Sequence, residues 1–209
     1  MLKWLGIRWG DDRKRQPLSE ARFVVLDLET TGLDAQKDHV ISAAAVGVVG
    51  GAIRLDDVLD LRVRPAGPIA RASIPVHGLF RGDLEDGLEP AEAVARIDAF
   101  VDDAVVVGHH IRFDRAVLDR TRGQPARWLL VDTGHLAVRL QHGPTPGEVE
   151  PEPPSLDALA RDLGIPVRGR HTAAGDVLVT AEAFLVLLAR ARAKGLRNVG
   201  DLVHRRRFY

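Results

Sequence analysis

The chain has 209 residues, of which 45% are hydrophobic and 28% charged, enough for one ordinary domain with a buried core and a soluble surface. Twenty-nine Lys and Arg balance 29 Asp and Glu, which argues against a protein that coats nucleic acid through bulk positive charge. The absence of Cys excludes disulfides, thiolate zinc sites and Cys nucleophiles.

Residues 1–20 read as an N-terminal extension. Trp4, Leu5, Ile7 and Trp9 form a short apolar patch, and the charged run 11–15 follows at once, with no apolar stretch of the kind an export signal needs. The longest apolar runs, such as 40–51, fall far short of the ~20 residues that span a bilayer. A cytoplasmic protein without a membrane segment is expected.

Phe23 to Leu28 is a nearly continuous apolar run, suited to a central strand covered on both faces. Val40 to Val49 and Ile53 to Val63 read as two further strands joined by the Gly50-Gly51 turn, giving an antiparallel meander of three. Pro65 to Gly87 reads as loop. Glu89 to Val101 has helical spacing, Ala104 to Val107 reads as a short buried strand, and Phe113 to Arg122 as a helix. Trp128 to Val131 is a third short apolar run, with Asp132-Thr133 as a helix start, and 141–154 is a Pro-rich loop. Ser155 is a good N-cap for a helix ending at Gly164, and Ala173 to Ala193 is strongly helical. A meander followed by alternating helices and strands implies an α/β fold, a mixed central sheet with helices on its faces. The domain is expected over 21–195, with 196–209 as a basic tail.

Four carboxylates stand out. Asp27 and Glu29 are two apart in the first strand, so both side chains point to one face. Two anions at the end of an apolar strand repel each other and resist desolvation. A cation between them relieves this; so would a role for one of them in capping the turn at Thr30-Thr31-Gly32. Asp114 follows a buried strand at a helix start, where it would complement the helix dipole or join a site. Asp176 sits one turn into an otherwise apolar helix and needs a partner, either an Arg in a buried ion pair or a metal. Ala173, Ala174 and Gly175 beside it let a backbone or ligand come close. All four acids lie where clefts form in sheet-and-helix proteins. Oxygen ligands without Cys suit Mg²⁺ or Mn²⁺, and a pair of such ions ~4 Å apart serves phosphoryl-transfer hydrolysis. His171 beside them is a candidate to take a proton from water at neutral pH.

Phe23-Val-Val-Leu-Asp27-Leu-Glu29-Thr30-Thr31-Gly32-Leu33-Asp34 resembles the first exonuclease motif of the DEDD superfamily. The match is to its DnaQ-like (DEDDh) group, which includes the proofreading epsilon subunit of bacterial DNA polymerase III. Gly108-His109-His110-Ile111-Arg112-Phe113-Asp114 is similar to the second motif and His171-Thr172-Ala173-Ala174-Gly175-Asp176 to the third. Ile74-Pro75-Val76-His77-Gly78-Leu79 resembles a segment lying between the first two. The resemblance runs from about Arg22 to about Ala193.

It implies a ribonuclease H-like fold and a two-metal 3′–5′ exonuclease in which Asp27, Glu29 and Asp176 ligate Mg²⁺ or Mn²⁺, Asp114 completes the acids, and His171 is the general base. A second branch of the superfamily replaces that His by a Tyr four residues before the last Asp. Thr172 stands at that position and the one Tyr is Tyr209, leaving the His branch. By the same resemblance the backbone of Thr30, Thr31, Gly32 and Leu33 lines the terminal-nucleotide pocket, and Ile74, His77 and Phe113 contact its base and sugar. Plain core packing is the alternative for Ile74 and Phe113. His110 stands where the family commonly has Asn in contact with substrate.

The resulting expectation is a proofreading or repair-like exonuclease acting on the 3′ end of single-stranded DNA. Alternatives are an exoribonuclease or oligonucleotidase of the same family, or a non-catalytic module that binds a DNA polymerase subunit. The intact set of acids with His171 argues against loss of catalysis. The extension 1–20 and Arg205-Arg206-Arg207-Phe208-Tyr209 are candidate docking segments. Setting the four acids aside leaves the rest of the chain four charges basic, so metal rather than side chains would supply most of the charge that meets phosphate.

Overall fold

The computed structural model describes residues 11–143 and 151–203. The expectations for residues 1–10, for 144–150 of the Pro-rich loop, and for the end of the tail with Tyr209 lie outside these residues.

The first apolar run forms strand β1, Arg22–Thr30. It pairs antiparallel with β2, Val40–Val49, which turns into the antiparallel β3, Ala52–Arg62. On its other side β1 pairs parallel with β4, Val105–Gly108, and β4 pairs parallel with β5, Leu129–Asp132. The sheet order is β3-β2-β1-β4-β5, the mixed sheet with a three-strand meander that the sequence implies. Gly50 and Gly51 turn the hairpin at φ of +63° and +83°, left-handed values that match the twist of the flanking strands.

Seven helices accompany the sheet among the described residues: α1, Ile74–His77; α2, Pro90–Val101; α3, Ile111–Arg122; α4, Thr133–His142; α5, Leu156–Leu163; α6, Ala173–Ala193; α7, Val199–Leu202. β1 alternates between two cores, as period two requires. Phe23 and Val25 face α6 and α4, while Val24, Leu26 and Leu28 face α2 and α3. β2 is buried along nearly its whole length, as expected for a strand covered on both sides. No helix among the described residues is long and apolar enough to cross a membrane.

Three local expectations differ from the structure. The stretch 65–87, read as loop, contains α1 and a 3₁₀ turn at Arg81–Leu84. Pro75 sits in the first turn of α1, where a missing N–H costs nothing, and Gly78 closes it at φ +70°. Helix α3 starts at Ile111, ahead of Phe113, because the Ile111 N–H donates to Asp132 Oδ2 at 3.1 Å. That cap comes from 21 residues away, and no local pattern announces it. The third difference is α7, which lies in the stretch read as tail, with Val199 and Leu202 buried. It packs beside residues 11–20: Pro17 bridges Asn198, the Leu18 N–H donates to the Arg197 carbonyl at 2.8 Å, and Leu18 is buried.

Candidate active site

The site begins with a length match between a strand and a helix. On the α6 side of β1, Phe23 meets Phe184 with ring centroids 4.9 Å apart. Four residues further along the strand, ~13 Å, the same face presents Asp27, and two more bring Glu29. Eight residues back along α6, ~12 Å, lies Asp176. The two elements run in opposite directions, so equal lengths bring the carboxylates together. One oxygen from each of Asp27, Glu29 and Asp176 lies within 4.8 Å of the others. Among the described residues this is the one group of three or more such side chains able to hold a metal ion.

Asp114 approaches from the first turn of α3 and is buried. Burial pushes its carboxyl up to about 8, the Glu29 and Asp132 charges adding to the push. Glu29 is raised to about 7, first by burial and then by Asp176. Asp27 is raised well above the carboxylate range by burial, then by Asp114, Asp176 and Glu29. Burial disfavours the charged form of each acid first, and their mutual repulsion adds to it. Such a donor set, all hard oxygen and partly desolvated, fits a divalent cation.

That arginine is Arg170. Its guanidinium pairs with Asp176 and, through Nε, with Asp157 Oδ1 at 2.6 Å. Burial works against its charge, but the hydrogen bonds to Asp157 and Asp176 outweigh burial and raise its pKa further. Asp176 therefore has the ion-pair partner that its place in an apolar helix requires, and it also belongs to the acidic group. Neither Arg170 nor Asp157 is singled out by sequence; the available signal is a basic residue directly before His171.

The loop that carries Arg170 and His171 is held against α6 by backbone contact. Thr172 caps the helix, accepting from the Gly175 N–H at 3.1 Å and donating to the Gly169 carbonyl at 2.7 Å. A Cβ at Gly175 would lie 1.9 Å from the Gly169 oxygen, so only glycine permits this approach. His171 is exposed beside the acidic group in sequence, at a left-handed φ of +60°.

The residues expected around a terminal nucleotide form the rim of β1. Thr30 and Thr31 are buried, and Leu33 is 92% exposed. The Thr30 hydroxyl donates to the Gly32 carbonyl at 2.5 Å, and Thr31 Oγ1 donates to Asp38 Oδ1 at 2.8 Å. Asp38, absent from the sequence reading, also accepts from the Asp34 N–H at 2.7 Å and fixes the turn. His77 is buried, and its Nδ1 accepts from the Leu79 N–H at 3.0 Å; burial lowers its pKa. Phe113 and Ile74 are half-buried, Phe113 against the α2–α3 core. His110 is exposed at φ +56°, edge-on to His109 at 4.5 Å. His109 Nδ1 lies 2.9 Å from Thr133 Oγ1, and burial, with His110 nearby, lowers its pKa to about 4.

A family model described as exonuclease (RNase_T) matches residues 24–184, from the start of β1 through most of α6. The chain belongs to this exonuclease family. Its acidic group is where a cation fits in a metal-dependent exonuclease domain. Over 193 residues the domain is 38% identical to a DNA polymerase III subunit epsilon-like protein of Rhodobacter capsulatus, covering 90% of this chain and 26% of that protein. The chain thus spans about a quarter of that relative's length. Exonuclease X, solved in complex with 5′ overhanging duplex DNA, superposes with a TM-score of 0.64 at 25% identity, over 87% of this chain and 97% of that one. E. coli Exonuclease I, solved with a dT13 oligonucleotide, gives 0.69 at 19% identity, over 84% of this chain and 42% of that one. The fold is the ribonuclease H-like fold of exonucleases.

Proposed function

We propose that this chain is a metal-dependent 3′–5′ exonuclease that removes mononucleotides from the 3′ end of single-stranded DNA. The observation that carries this reading is the convergence of Asp27, Glu29 and Asp176, with Asp114 beside them, at the end of the central strand. Asp27, Glu29 and Asp176 bind Mg²⁺ or Mn²⁺ as a two-ion site, and Asp114 closes it from α3. Bound cations supply an activated water and neutralise charge gathering on the phosphate and the leaving oxygen.

The chain's own groups do the rest. His171, exposed on the loop against α6, takes the proton of the attacking water. The water oxygen bonds to phosphorus, the bond from phosphorus to the 3′ oxygen of the preceding nucleotide breaks, that oxygen takes up a proton from solvent to become the new 3′-hydroxyl, and a 5′-mononucleotide leaves. The exposed Leu33 and the backbone of Thr30, Thr31 and Gly32 receive the terminal nucleotide, with Ile74, His77, His110 and Phe113 around its base and sugar. The epsilon-like relative supports work in DNA replication in the cytoplasm, alongside a DNA polymerase subunit. The proposed exonuclease domain is residues 21–195.

The test is degradation of 5′-labelled single-stranded DNA in Mg²⁺ or Mn²⁺ and then in chelator. Stepwise shortening from the 3′ end, lost in chelator and in Asp27→Ala, is expected. Full activity in Asp27→Ala or Asp176→Ala would overturn the metal assignment. His171→Ala is expected to slow turnover ~10²–10⁴-fold, the usual range for a lost general base; unchanged turnover would remove it from that role.

A further inference from the structure

Residues 61–82 contain four arginines and no Asp or Glu, in a chain whose charges balance overall. Part of this stretch folds over a cavity of about 570 Å³ lined by Gly67, Ile69, Arg71, Ile74, Phe80 and Arg81. Phe80 is 60% exposed, which is unusual for so large an apolar ring. Arg71 is exposed, with no ion-pair partner among the described residues. Arg81 Nη2 donates to the Gly67 carbonyl at 2.8 Å, so its guanidinium is held at the mouth of the cavity without a carboxylate.

The cavity wall is tied to the rim of the acidic site. The Ala70 N–H and the Ser73 hydroxyl both donate to the Thr31 carbonyl, at 2.9 and 3.0 Å. Thr31 is two residues beyond Glu29, a chain distance of at most ~7 Å.

We infer that this cavity is a second subsite, which takes the nucleotides of a single strand that lie upstream of the terminal one. An exposed aromatic ring stacks on any base, and unpaired arginines meet the backbone phosphates, the combination that holds single strands without reading sequence. The inference rests on the proposed exonuclease reading and adds to it how the strand leaves the acidic site: over Ile74 and along Phe80, with Arg71 and Arg81 beside its phosphates.

The test has a binding arm and a kinetic arm. Binding of a fluorescent oligodeoxynucleotide is read by anisotropy in chelator, so it needs no turnover. Phe80→Ala and the double variant Arg71→Ala/Arg81→Ala are each expected to weaken binding about tenfold, within the range for one lost stacking partner. The double variant should also lower the salt dependence by ~0.7 per arginine. Phe80→Trp should bind as tightly as wild type, and Arg54→Ala on β3 controls for loss of charge elsewhere. In the kinetic arm, the KM for a long oligomer relative to that for p-nitrophenyl thymidine monophosphate should rise about tenfold in the same variants. Wild-type affinity and salt dependence in both variants would overturn the subsite even if the enzyme is active. A wild-type protein that binds oligomer through Phe80 yet hydrolyses neither substrate would overturn the exonuclease reading and leave the subsite standing.

Discussion

Glu29 and Asp114 keep their protons to about pH 7 and about 8 when no cation is bound, mainly because they are buried. In the unfolded chain carboxyls ionise near pH 4. Between those limits the folded state binds more protons than the unfolded one, so metal-free stability falls as pH rises from about 5 to about 8. Thermal melting in chelator across that window should show a declining midpoint, and saturating Mn²⁺ should reverse it at the alkaline end. A flat profile in chelator would contradict the raised values. Arg170 offers a second reading of the same charges. Its charge also favours the ionised forms of Glu29 and Asp27, so Arg170→Gln should lower the midpoint in chelator more at pH 8 than at pH 5. Equal losses at both values would mean that the arginine serves only Asp157. At this scale the sequence makes the pairing of Asp27 with Glu29 legible, because strand periodicity alone fixes their common face. It does not make Arg170 legible: with 29 basic residues to choose from, only the folded loop decides which one reaches Asp176.

The elements place these residues by length and by close packing. Phe184 anchors α6 on β1, and Phe184→Ala should cost about 3–5 kcal/mol in denaturant unfolding, with Asp176 losing its register against Asp27. Gly175→Ala acts differently. Its added methyl would collide with the Gly169 carbonyl, and the loop bearing Arg170 and His171 has to move. An overpacking cost of about 1–3 kcal/mol is expected, with a far larger fractional loss of activity; wild-type turnover would show that the loop position is immaterial. Helix α5 is legible in full, from the Ser155 cap to the stop at Gly164, because both ends carry local signals. The start of α3 is not, because its cap is Asp132, brought in by β5. Helix α1 is brief enough that Pro75 and the capping Gly78 mask it. Helix α7 depends on burial of Val199 and Leu202, a tertiary contact that a short polar stretch does not advertise.

At the scale of the whole molecule, electroneutrality hides an uneven distribution. Acids gather at the end of β1, and an acid-free run of arginines lies beside them. If Arg71 and Arg81 met phosphates, log affinity for a single strand would fall against log salt with a slope of about −1.4 from that subsite. Titrations at several salt concentrations would check this, and a much steeper slope would mean that phosphates are met elsewhere on the surface. The meander and the mixed sheet follow from patterns the sequence carries openly, a β-hairpin marked by Gly-Gly and two short apolar strands separated by a helix, while the place of β4 beside β1 does not. Net charge is the least informative of the global numbers, since it says nothing of where the acids of the site lie.

The β2–β3 hairpin points away from all of this. Arg22 pairs with Val49 while Glu29 pairs with Ser42, so the Gly50-Gly51 turn lies some seven residues, ~23 Å, down the sheet from the carboxylates. Ala52, the first residue after it, is exposed, and the chain has no thiol of its own. Ala52→Cys would therefore give one attachment point for a fluorophore or a surface tether, far enough from the cleft to leave the route of the strand clear. Single molecules could then be watched as they shorten a strand, one nucleotide after another.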